Sequence, residues 1–111
     1  MARFNFDVGH AHLTDGPEEE RVAASFESMR DHISSAHIHD NLGDKDAHLP
    51  PYDGSIDWLA ALKLFRSLPN GEIPLTLELK EKTGPGALSL LEQIAAGAKS
   101  LDRLEEDFQA L

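Results

Sequence analysis

Polar and apolar residues alternate from Arg3 to Val8, with Phe4, Phe6 and Val8 on one side and Asn5, Asp7 and Gly9 on the other. That period predicts a strand over about residues 3–8. Asp15-Gly16-Pro17 then breaks the chain, and Glu18, Glu19 and Glu20 suit a first helical turn. Val22, Phe26, Met29 and Ile33 follow at spacings of four, three and four, which is one face of a helix packed on a sheet. A second strand is expected over about 36–40, then a loop rich in Asp, Gly and Pro over 41–54. Ser55 is the expected N-cap of a helix to about Leu68, with Ile56, Leu59, Leu62 and Phe65 as its buried stripe. Pro69-Asn70-Gly71 stops it. Residues 74–80 alternate again, Leu75, Leu77 and Leu79 against Thr76, Glu78 and Lys80. Beyond Gly84-Pro85-Gly86 the chain reads as helix, with Leu88, Leu91, Ile94, Ala98, Leu101, Leu104 and Phe108 near helical spacing and Gly97 as a point of bending or splitting.

Strand and helix thus alternate three times, which predicts an α/β domain over 1–111 built from parallel βα units with right-handed crossovers. Strands covered on both faces normally read as continuous apolar runs. Here each strand keeps one polar face, carrying Asp7, then His37 and His39, then Glu78. If the apolar faces pack on the helices, the polar faces line a shared interior, as at the mouth of a β/α barrel. Parallel neighbours about 4.8 Å apart would bring Asp7, His39 and Glu78 within reach of one divalent ion. Asp46 and His48 approach from the following loop. Imidazole with carboxylate is the donor set of Zn- and Mn-type sites.

Composition narrows the choices. A chain of 111 residues is one small domain, and 41% hydrophobic residues speaks against disorder throughout. Without cysteine, a metal must be held by His, Asp and Glu, and a reducing cytoplasm is the expected location. No apolar run approaches the roughly 18 residues of a membrane span, so no membrane partner is expected. The formal net charge of -10 argues against nucleic acid as a partner.

Five short pieces, D-V-G-H at Asp7–His10, H-I-H-D-N at His37–Asn41, D-A-H-L-P at Asp46–Pro50, G-S-I-D-W at Gly54–Trp58 and L-T-L-E-L-K at Leu75–Lys80, resemble the xylose-isomerase-like TIM-barrel superfamily. That superfamily joins sugar (phosphate) isomerases and epimerases with the type 2 apurinic endonucleases. The resemblance covers only the last three βα units of an eight-stranded barrel of about 250 residues. It implies a divalent metal (Mn, Zn, Mg or Co) on Asp7, His39 and Glu78, with Glu78 also catalytic as one of an acid/base pair. The other carboxylate of that pair would lie on a strand this chain lacks. His10, His37, Asp46 and His48 are implied as substrate contacts. In the endonuclease branch, Asp46 and His48 resemble a pair holding a further metal. Tyr52 stands where the family commonly has Gly, which implies a reshaped loop.

Other polar residues read more plainly. His12 and His32 are expected in solvent, Glu18–Glu20 as a turn that offsets the helix dipole, and Ile56 and Trp58 as core. A lone three-unit chain would expose two sheet edges. A homo-oligomer, or docking on a complementary chain carrying the missing strands, is therefore expected. The implied activity is isomerisation or epimerisation of a sugar or sugar phosphate, with little turnover by the chain alone. The alternatives are a non-catalytic oligomeric module derived from the barrel and a DNA-repair endonuclease fragment.

Overall fold

The computed structural model describes residues 3–69 and 73–111. Its order is β1 (Phe4–Asp7), α1 (Val8–Ala11), α2 (Glu18–Met29), a 3-10 turn (Arg30–His32), β2 (Ile33–Ile38), α3 (Trp58–Arg66), β3 (Leu75–Leu77) and α4 (Leu90–Gln109). The three strands form one sheet in the order β1-β2-β3, both pairs parallel. This is the expected α/β arrangement, an open run of three βα units of a TIM barrel. The register sets Asp7 opposite His37 and His37 opposite Thr76. One step on, the Glu78 amide donates to the Ile38 carbonyl at 2.9 Å, so Glu78 and His39 follow on the same face.

The boundaries differ from the pattern for local reasons. β1 stops at Asp7 because its carboxylate caps α1 by accepting from the His10 amide at 2.8 Å. That short helix takes Val8, the last residue of the expected strand. The 3-10 turn ends α2 early, so Ile33, counted with the helical stripe, is the first residue of β2. β2 therefore runs 33–38 rather than 36–40, and His39 lies just beyond it. β3 is three residues long instead of seven, the ladder past it reduced to the Glu78 bond. Ser55 does not cap α3. Asp57 does, accepting from the Ala60 amide. The expected stop at Pro69-Asn70-Gly71 falls partly outside the described residues; Ser67 already caps α3.

The core sits between sheet and helices. Phe6, Phe26 and Phe65 join β1, α2 and α3 edge to face, at centroid distances of 5.5 to 6.2 Å, an arrangement that adds to their area burial. Ile56 and Trp58 are buried, as expected. The inward face of α3 is Trp58, Ala61, Leu62 and Phe65, while Leu59 points to solvent. Gly97 does not split α4, which runs unbroken from Leu90 to Gln109. It is buried against Leu79 and Leu77, letting α4 lie close to the sheet.

Candidate metal centre

Three strand ends converge on one space. His39, fully buried, donates from Nε2 to Asp7 Oδ1 at 2.7 Å. Glu78 Oε2 lies 3.2 Å from His37 Nδ1, and that nitrogen lies 3.9 Å from Asp7 Oδ2. One donor atom from each of Asp7, His39 and Glu78 falls within 4.8 Å of the others. Ligands about 2.1 Å from an octahedral ion sit about 3 Å apart when adjacent and about 4 Å apart when opposite, so small carboxylate rotations suffice. His37 Nδ1 faces the same two carboxylates.

A second group adjoins the first. Asp46 lies 3.2 Å from His10 Nε2 and 3.1 Å from His48 Nε2, and its Oδ1 is 4.0 Å from His39 Nδ1. The His39 and His48 rings stack at 3.9 Å, almost parallel. His39 Nδ1 is buried without a hydrogen-bond partner among the described residues, whereas Asp46 Oδ1 has His48 Nε2 at 3.1 Å. A buried ring nitrogen without a partner is costly, and here it belongs to a group in which His10, His39, Asp46 and His48 each offer a ligand atom within 4.8 Å of the others. That donor chemistry fits a divalent cation. All the predicted site residues (Asp7, His10, His37, His39, Asp46, His48 and Glu78) thus lie in one contiguous cluster.

The electrostatics favour charged carboxylates. Burial pushes the Asp7 carboxyl up, but the His39 hydrogen bond, the His10 amide and both imidazole charges outweigh it, leaving it below the ordinary range. Asp46 behaves alike: burial raises it, while the His10 hydrogen bond and the neighbouring His48 hold it low.

Backbone and scaffold hold the cluster. Gly9 is buried under His39, and a Cβ there would collide with the imidazole. The loop bearing Asp46 and His48 is fixed by paired bonds between Asp40 and Leu49, and by Lys80 Nζ on the Asp46 carbonyl at 2.9 Å. Asp40, fully buried, is a hub absent from the sequence reading. It accepts from the amides of Asn41, Tyr52 and Ile56 and from the Trp58 indole. Alternation could have flagged it: next to inward His39, it must point among the helices, where a carboxylate needs donors.

Three expectations fail nearby. His12 is buried, not solvated, its Nε2 3.1 Å from Glu18 and 2.9 Å from Ser55 Oγ. Glu18 is therefore more than a dipole partner; it ties α2 to the start of α3 by accepting from Ser55 at 2.6 Å. His32 is half-buried, edge-on to Phe4. Tyr52 keeps the left-handed backbone that Gly would favour, φ +78. Its hydroxyl donates to Asp107 and its ring lies under Arg103, contacts that hold the loop to α4.

No protein-family model matches the chain. An uncharacterized protein of Sinorhizobium fredii, y4fM, is 38% identical over 73 residues, which is 66% of this chain and 22% of y4fM. A crystal structure described as a D-tagatose 3-epimerase-like protein superimposes with a TM-score of 0.70 at 23% identity, over 97% of this chain and 35% of that one. The chain thus spans about a fifth of that relative and about a third of that solved structure. Among the described residues no helix is long and apolar enough to cross a membrane. At this level of likeness, the fold is that of part of a TIM barrel, three parallel strands with their helices.

Proposed function

We propose that the chain supplies the closing part of the active-site face of a divalent-metal-dependent sugar or sugar-phosphate isomerase or epimerase, with little turnover alone. The observation that carries this reading is the convergence of Asp7, His39 and Glu78 at the C-terminal ends of three parallel strands, where barrel active sites are built. Asp7, His39 and Glu78 would hold the ion, with His37 beside them. Bound there, it would polarise the carbonyl and hydroxyl oxygens of a substrate.

The chain's own groups do the rest. His10 and His37, partly open to solvent, orient substrate oxygens by hydrogen bonds. Glu78, also partly open, takes the proton from the carbon alpha to the carbonyl. By the resemblance, a carboxylate on a strand outside this chain returns a proton to the other face, which inverts the centre. Lacking it, the chain binds but does not complete the cycle. The unpartnered His39 Nδ1, grouped with His10, Asp46 and His48, also favours a further ion at Asp46 and His48, the endonuclease-branch feature. The charge of -10 weighs against a phosphate backbone as substrate.

The solved neighbour's description makes a ketohexose the first probe. With Mn(II) bound, the chain should enhance the relaxation of D-tagatose protons, and His39→Ala should abolish the effect. Bound Mn(II) with no enhancement for D-tagatose, D-fructose or their phosphates would overturn the sugar reading. Deuterium uptake from heavy water into D-tagatose should stay near background. Robust uptake abolished by Glu78→Gln would overturn the inactivity.

A further inference from the structure

Lys80 follows Glu78 by two residues, the spacing at which an extended chain returns to the same face. Its Nζ donates to the Asp46 carbonyl at 2.9 Å, and Lys82 Nζ donates to the Ala47 carbonyl at 3.4 Å. Both ammonium groups therefore lie on the loop whose Asp46 and His48 side chains belong to the second ligand group. An ammonium has three donors and no acceptor, so each has two N–H groups beyond its carbonyl bond. Among the described residues, the Lys and Arg side chains paired with a carboxylate are Arg30 and Arg103. Lys80 and Lys82 rest on neutral carbonyls, although the chain holds 20 acidic residues against 10 basic ones.

Cations placed this way beside a ligand cluster suit an anionic group on the molecule that the ion binds. A cavity of about 290 Å³ adjoins His48, with Lys80, Lys82, Leu79 and Leu88 on its wall. Asp53 is the acidic residue lining it, one carboxylate against two ammonium groups. The apolar part of the wall limits water, and an ion pair strengthens as water is excluded. The net charge of -10 opposes a polyanion approaching from solvent. A single phosphate already tethered to a bound sugar meets chiefly the charges within a Debye length. Lysine binds phosphate as a point charge through rotatable donors, and both side chains are exposed, so they can swing from carbonyl to ligand.

We propose that Lys80 and Lys82 form a phosphate subsite at the rim of the metal centre, so that the ligand is a sugar phosphate rather than a free sugar. This assignment rests on the sugar chemistry proposed above and narrows its substrate class. The chain, saturated with Mn(II), is titrated with D-tagatose and with D-tagatose 6-phosphate, and the relaxation of the ligand protons gives both affinities. The phosphate ester should bind at least about tenfold more tightly, as charge-assisted hydrogen bonds imply. That preference should fall to near parity in Lys80→Gln/Lys82→Gln. Lys82→Gln alone, which leaves the Lys80 bond to the Asp46 carbonyl in place, should lose part of it. Both side chains are exposed, so the variants should fold, and circular dichroism checks this. Equal affinities in the wild type, or a preference that both variants keep, would overturn the phosphate subsite and leave the sugar reading standing. Relaxation enhancement for neither ligand would overturn both.

Discussion

Gly9 and His39 occupy each other's space, so the imidazole can lie buried against Asp7 only because residue 9 has no side chain. Gly9→Ala leaves a fully buried ring nowhere to go. It should cost about 1–3 kcal/mol, as overpacking does, and weaken metal binding at the same time. Urea denaturation and zinc titration of one preparation check both, and unchanged values would contradict the placement of His39. Asp40 presents the opposite case, a carboxylate that holds the fold rather than the ion. Asp40→Asn turns an amide NH₂ toward groups that are themselves donors, and should cost about 2–4 kcal/mol. A chemical-denaturation midpoint within error of wild type would contradict its role as hub.

At the scale of elements, α2, the loop over 41–57 and α4 are joined by a few polar contacts. Tyr52→Phe removes the bond to Asp107 and should destabilise the chain by about 1.5 kcal/mol, measured by thermal or urea unfolding. The Ser55 hydrogen bond, then the His12 charge, hold the Glu18 carboxyl below its ordinary range despite partial desolvation. A depressed carboxyl favours the fold when ionised. Its contribution is complete above about pH 4.3 and is lost as pH falls through the lowered value. Glu18→Gln should therefore shrink the loss of stability between about pH 6 and about pH 3; an unchanged difference would contradict the His12–Ser55–Glu18 link. Sequence periodicity located every strand and the three long helices, because one-sided burial imposes period two or 3.6. It misplaced their ends. The ends depend on which polar group happens to cap, and Asp7, Asp57 and the 3-10 turn at Arg30–His32 were invisible to period alone. The outward Leu91 and Ile94 were legible as helix but not as exposed, since a stripe shows amphipathicity without saying which neighbour covers it.

For the molecule as a whole, the site was readable because its residues come from strand ends, where alternation fixes facing. Asp7, His37 and Glu78 needed only register to meet. His12 and Asp40 were not readable, because their partners are brought in by loops with no period to follow. An open sheet edge and exposed apolar side chains at the start of α4 are costly in water, and the proposed sugar chemistry is accordingly assigned to a completed barrel. The central proposal is narrower and rests on this chain's own residues: Asp7, His39 and Glu78 would hold a divalent ion. Calorimetric titration of Zn(II) into the chain, beside His39→Ala and Glu78→Gln, tests it most directly. Saturable binding weakened at least about tenfold in each variant is the predicted result; no binding, or binding that neither variant changes, would contradict it.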